Sequence, residues 1–195
     1  MPTILLARHG ETDWNAENRF QGHADPPLNE RGRAQARELA GKLRDERVDA
    51  VFTSPLRRAR QTAEIVADTL GLPVIEDEGL REVDVGEWQG LTRAEIEERY
   101  PEAFARWVAH GPGWERGETY EAMGERVLGA LARIADGRAG ERLLVVTHGG
   151  PVRAALARAN GITQEEARRR TRVIDNCGMA SFAVEDGRAS CRERV

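Results

Sequence analysis

Two short apolar runs constrain this chain more than any other feature. Thr3-Ile4-Leu5-Leu6-Ala7 and Leu143-Leu144-Val145-Val146-Thr147 are too short for buried helices and have the length and composition of buried strands. Each runs straight into a histidine and a glycine, Arg8-His9-Gly10 after the first and His148-Gly149-Gly150 after the second. Helical spacing between them predicts a helix over Asn29–Asp45, with Ala34, Ala36, Leu39, Ala40 and Leu43 facing inward. Ala50–Thr53 and Pro73–Ile75 read as strands around a helix that Pro55 opens and that Gly71 and Pro73 stop near Leu70. Further helices fit Arg93–Ala109, Glu118–Asp136 and the stretch after Pro151, and Ile174–Val184 reads as one or two closing strands. This alternation predicts an α/β fold, a three-layer sandwich with a mostly parallel central sheet and helices on both faces.

At 195 residues, one domain is expected, covering 1–188, with residues 189–195 as a frayed, disordered tail because they lack periodicity. A turn is expected at Glu185-Asp186-Gly187 and an exposed loop at Gly111–Gly117. The net charge of −4 and a pI near 5.7 argue against nucleic acid as a partner, since phosphate backbones require a basic face. Of 29 basic residues only Lys42 is lysine, so most arginines are read as solvating helices and a functional one must be argued from its neighbours. No apolar run reaches membrane-spanning length, and Arg8 interrupts the N-terminal run too early for a secretory signal. The expectation is a cytoplasmic protein without membrane partners. Cys177 and Cys191 form no CxxC pair, which leaves thiol redox chemistry and a cysteine zinc site unsupported, and Cys177 reads as a small core residue.

In open α/β sheets ligands bind at the carboxyl ends of the strands. There this sequence places Arg8-His9-Gly10-Glu11-Thr12, Ser54-Pro55-Leu56-Arg57-Arg58, Leu80-Arg81-Glu82 and His148-Gly149-Gly150. Arginine forks match phosphate oxygens. Glycines let backbone approach a ligand, and helix N-termini add N–H donors. A histidine in such a site is a candidate nucleophile, and a glutamate can protonate the leaving oxygen and later activate water. Each residue alone has a blander reading. A lone histidine after a strand usually only hydrogen-bonds, Glu82 alone is any surface carboxylate, and Ser54-Pro55 alone is a helix cap. A metal held by His9, His23 and His148 is disfavoured because Arg8 and Arg58 would repel a dication.

These residues also carry a resemblance. Leu6-Ala7-Arg8-His9-Gly10-Glu11-Thr12 with Asn15 resembles the signature of the histidine phosphatase superfamily, in its phosphoglycerate mutase-like branch. So do Pro27-Leu28-Asn29-Glu30-Arg31-Gly32, the run from Ser54 to Thr62, Leu80-Arg81-Glu82 continuing to Gly90, and Val145–Gly150. The resemblance implies His9 as the phosphorylated nucleophile and Glu82 as the proton donor. It implies Arg8, Arg58 and His148 as the phosphate pocket, with Asn15 and the Gly149 backbone in support. It implies no metal and no organic cofactor.

That family contains both mutases and phosphatases, the mutases with a longer basic insertion after the acid motif. Here the stretch from Glu87 to Glu118 is short, with seven glutamates against Arg93, Arg99, Arg106 and Arg116. An acidic lid grips a doubly phosphorylated intermediate poorly. The reading is therefore a metal-independent phosphatase acting on a small phosphorylated metabolite through a phosphohistidine. A phosphoglycerate mutase and a non-catalytic phospho-ligand binder are the alternatives. Gln21, Gly22 and Trp114 are the candidates for substrate contact, and the assembly is left open, with a homodimer among the options.

Overall fold

The computed structural model describes residues 1–111, 113–170, 172–185 and 188–194, with residues 183–185 and 188–194 described by their backbone. Six strands form one sheet: β1 (Thr3–Arg8), β2 (Ala50–Thr53), β3 (Val74–Glu76), β4 (Arg142–Thr147), β5 (Met179–Glu185) and β6 (Arg188–Arg194). Their order is β3-β2-β4-β1-β5-β6. The first four run parallel, and β5 and β6 add antiparallel at one side. The helices are α1 (Asp13–Ala16), α2 (Glu30–Leu43), α3 (Arg57–Leu70), α4 (Arg93–Arg99), α5 (Pro101–Val108), α6 (Tyr120–Ala135), α7 (Gly149–Ala159) and α8 (Gln164–Arg170). Among the described residues no helix is long and apolar enough to cross a membrane.

The period-2 geometry of the central strands makes the sandwich. Leu5 and Ala7 of β1, with Leu144 and Val146 of β4, join Leu39 and Leu43 of α2 and Ala63 and Val66 of α3 on one face. Ile4 and Leu6, with Leu143 and Val145, join Val127 and Leu131 of α6 and Val152 and Leu156 of α7 on the other. Strands buried on both faces are continuous apolar runs, and that is how β1 and β4 read. β4 sits between β1 and β2, so the segments leaving β1, β2 and β4 all emerge at one edge.

Several expectations are refined. The single helix over 93–109 is two: Tyr100 has φ −136° and ψ 56°, because a residue before proline is pushed out of the helical region, and Pro101 starts α5 afresh. α3 begins at Arg57 with Leu56 as its N-cap, so Ser54-Pro55 is not the cap. α7 begins at Gly149, with Pro151 inside its first turn. The frayed tail expected over 189–195, and with it the domain limit at 188, is corrected by β6, which pairs with β5 through Arg194. An edge strand needs only backbone pairing, so the missing apolar alternation was no guide. The expected turn at Asp186-Gly187, Pro112 of the expected loop, and Val195 lie outside the described residues.

Candidate active site

The first loop after β1 is held by backbone. His9 N–H donates to Thr147 O at 2.9 Å, and Cys177 N–H donates to Arg8 O at 3.0 Å. Gly10 lies so close to α2 that a Cβ there would sit 2.5 Å from Gly32 O, and its N–H donates to Thr62 Oγ1 at 3.0 Å. His9 is therefore pinned on both sides and is only 3% exposed. Its Nδ1 lies 2.7 Å from Gly10 O. A carbonyl only accepts, so Nδ1 carries the proton and the Nε2 lone pair is free. Burial, then the charges of Arg58 and Arg8, hold this imidazole well below its ordinary pKa, so it is a neutral base at pH 7.

His148 caps α7, and its ring centroid lies 5.1 Å from that of His9. Its Nε2 is 2.8 Å from Ser54 Oγ, and its buried Nδ1 has no partner among the described residues. Burial first, and then Arg58, lower its pKa well below the usual value as well.

Two guanidiniums flank these rings. Arg58, in the first turn of α3 and 1% exposed, donates to Ala24 O at 2.7 Å and Gly22 O at 2.8 Å. Arg8 donates to Ile174 O at 2.8 Å. Neither forms an ion pair with a described carboxylate, and Nε of each is buried without a partner. Burial pulls Arg58 down to about 10, so it stays charged at neutral pH. Carbonyls satisfy hydrogen bonds but leave net charge, and buried charge is costly until an anion pairs it. The site is thus preorganised for a phosphoryl dianion.

Glu82 faces them across the cleft. Its Oε1 accepts from Val83 N–H at 2.9 Å and its Oε2 from Gly150 N–H at 3.2 Å. A Cβ on Gly150 would sit 2.2 Å from Oε1, so only glycine leaves room for the carboxylate. The segment carrying Glu82 is clamped by Arg126, which donates to the carbonyls of Gly79, Arg81 and Glu82, and by Thr147 Oγ1 donating to Leu80 O at 2.6 Å. Two other carboxylates on this segment are engaged elsewhere: Asp84 accepts from Gly86 N–H, and Glu87 accepts from Glu115 and Arg116 N–H.

The cleft has a volume of about 530 Å³. His9, Arg8, Arg58, Asn15, Glu82 and Gly149 all line it, as do Gln21 and Gly22. His148 stands behind His9 rather than in the lining. Asn15 Oδ1 accepts from Thr12 N–H in a capping box, and its amide NH₂ has no partner among the described residues. Trp114 is the exception among the predicted contacts. It is not in the lining; it packs on Trp88 and Tyr120, with its Nε1 donating to Glu118 O at 3.0 Å. Backbone ties from 115–118 to 84–87 turn the indole inward, and Trp14 and Trp107 line the cleft instead.

Residues to which the sequence analysis gave no role in catalysis or phosphate binding complete the arrangement. Ser54 meets His148, Thr62 holds Gly10, and His23 Nε2 lies 2.8 Å from Glu82 O. Asn176 donates to His9 O at 3.0 Å. Asn176 lies 167 positions from His9, and no local pattern announces that pairing. Among the described residues no group of three or more His, Cys, Asp or Glu is placed to hold a metal ion.

Comparison with known proteins agrees with this geometry. The chain is 39% identical over 191 residues to phosphoglycerate mutase-like protein 4 of Arabidopsis thaliana, covering 94% of this chain and 80% of that protein. It is 43% identical over 160 residues to a metal-independent phosphoserine phosphatase of the same plant, covering 80% and 67%. The solved structure of Bacillus stearothermophilus YhfR superposes with a TM-score of 0.90 at 34% identity, over 98% of this chain and 95% of that one. The family model of the histidine phosphatase superfamily (branch 1) matches residues 4–194, and the chain belongs to that family.

Proposed function

We propose that the protein is a metal-independent phosphatase that hydrolyses a small organic phosphate monoester through a phosphohistidine at His9. The observation that carries this reading is a neutral, Nδ1-anchored imidazole beside two guanidiniums, the buried Arg58 and the half-buried Arg8, that no described carboxylate pairs. In the first step Nε2 of His9 attacks phosphorus, the ester P–O bond breaks, and the leaving alcohol takes the proton from the Glu82 carboxyl group. In the second step Glu82, now a carboxylate, removes a proton from water as its oxygen attacks phosphorus, and the N–P bond breaks to release phosphate. Arg8, Arg58, Asn15 and the Gly149 N–H stabilise the charge on the transferring group, the task a metal performs elsewhere. His148 Nδ1, buried and unpartnered, is a further contact for a phosphoryl oxygen. The short acidic stretch after Glu87 favours release to water over retention of a bisphosphate.

The test follows labelled phosphate. Wild-type protein in EDTA should release inorganic phosphate from p-nitrophenyl phosphate and, quenched in mid-reaction, carry an acid-labile, base-stable phosphoryl group. His9→Ala should lose both, with turnover down about 10⁴-fold or more. Label moved between positions of a phosphoglycerate faster than it is released would establish a mutase. Tight phosphate binding with no turnover would establish a binder.

A further inference from the structure

Ser54 carries a buried hydroxyl that the two steps above do not use. It follows β2, and its N–H donates to Val146 O at 3.0 Å, which sets it against the end of β4. Val146 lies two residues before His148. Ser54 and His148 are both fully buried, and Ser54 Oγ lies 2.8 Å from His148 Nε2. The same oxygen accepts from Leu56 N–H at 3.3 Å. Burial, and then the charge of Arg58, keep the imidazole neutral, so its ring carries one proton. Two arrangements share these distances. If Nε2 held the proton and donated to Ser54, the hydroxyl oxygen would accept twice. The hydroxyl proton would then be buried with no acceptor among the described residues, which is costly. Nδ1 would also present a lone pair, which repels a phosphoryl oxygen. If Ser54 donates to Nε2 instead, both groups of the pair are satisfied. The ring proton then sits on Nδ1, the buried atom left without a partner among the described residues.

We propose that Ser54 is a positioning residue: its hydroxyl donates to Nε2 of His148 and so holds that imidazole in the tautomer whose Nδ1–H donates to the transferring phosphoryl group. The assignment rests on the phosphatase reading above and adds to it the residue that decides what His148 can do. The guanidiniums of Arg8 and Arg58 are donors in every state they adopt. A neutral imidazole is a donor at Nδ1 in only one of its two tautomers. Left free to choose, it would meet the phosphate as a donor only part of the time. Ser54 removes that choice without adding charge to the site.

The experiment reads the tautomer directly, by nitrogen NMR of protein labelled at histidine, with the His148→Ala spectrum identifying the His148 signals. In the wild type, Nδ1 should give a protonated, pyrrole-type signal and Nε2 a pyridine-type one. In Ser54→Ala the two signals should move toward each other as both tautomers become populated. With p-nitrophenyl phosphate, kcat/KM should fall about 10-fold in Ser54→Ala, against about 10²–10³-fold in His148→Ala, which removes the donor outright. In the His148→Ala background Ser54→Ala should cost almost nothing more, because it acts through that ring. A proton on Nε2 in the wild type overturns the proposal. So does a tautomer that Ser54→Ala leaves unmoved, or a cost of Ser54→Ala that stays the same without His148. Failure of the wild type to turn over p-nitrophenyl phosphate defeats the phosphatase reading instead. The same signals are then followed as inorganic phosphate is titrated in. The Nδ1 signal of His148 should shift on binding, and Ser54→Ala should weaken phosphate binding by about 10-fold. A stationary Nδ1 signal, or equal affinities in the two proteins, refutes the role of Ser54.

Discussion

The edge of the sheet and the aromatic layer over it are built on opposite principles. At the edge, His9, His148, Arg58, Ser54 and Thr147 are buried polar groups, and backbone contacts fix them in place. In the layer over residues 86–120, Trp88 is fully buried and meets Phe20, Trp107 and Trp114 edge-on, with ring centroids 5.5, 6.0 and 5.6 Å away. Charge there stays on the outside: Arg106 pairs with the exposed Glu115. The first region holds destabilising groups in a reactive array, and the second supplies apolar burial. Catalysis and stability should therefore separate on mutation.

The sharpest test of that separation is Glu82→Gln. If Glu82 protonates the leaving oxygen, kcat/KM for an alkyl phosphate should fall by about 10²–10⁴-fold. The loss should be much smaller for p-nitrophenyl phosphate, whose leaving group needs no proton. The melting temperature should barely move. Equal losses with both esters would reduce Glu82 to a shaping role.

Trp88→Ala should do the reverse. Removing a fully buried indole costs about 3–5 kcal/mol of stability, read as a lower urea midpoint. The protein that remains folded should keep most of its activity on p-nitrophenyl phosphate, because Trp88 does not line the cleft. Lost activity without lost stability would erase the distinction between the two regions.

The smallest effect concerns pH. His9 and His148 are held neutral in the fold, with pKa values well below the usual 6.5, first of all by burial. Below pH 6.5 the unfolded chain binds protons that the native imidazoles refuse, so their stability contribution is present above that pH and lost as pH falls. Each imidazole should contribute up to about 1.4 kcal/mol per pH unit to that slope. His148→Gln should flatten the slope by one such step between pH 6.5 and 5.5 in urea titrations. An unchanged slope would mean that His148 is not held neutral.

Much of this was legible in the chain because it is local. Strand length and double-sided apolarity marked β1 and β4, and the residues just past them had to emerge at one edge. His9, Arg58, Glu82 and Gly149 each follow a strand that ends at that edge, but the roles expected of them came from the family resemblance rather than from the strand rule. The break before Pro101 was missed, because helical spacing on both sides conceals the restriction that a proline places on its predecessor. Trp114 stands outside the lining of the cleft for a reason that is not local. An indole beside a Gly-Pro-Gly loop suits the wall of this cleft or a place beside it equally well, and only the contacts of that loop with residues 84–87 choose between them.

The sequence by itself determined which residue types follow which strands, because strand and helix periodicities are properties of neighbours. The tertiary structure alone decided which groups are paired and which are left over. Arg58 donates to carbonyls 34 and 36 positions away, Ser54 finds His148 across 94, and Arg153 finds no partner among the described residues. An unpaired charge is defined by everything that surrounds it, and those surroundings exist only once distant segments have packed together.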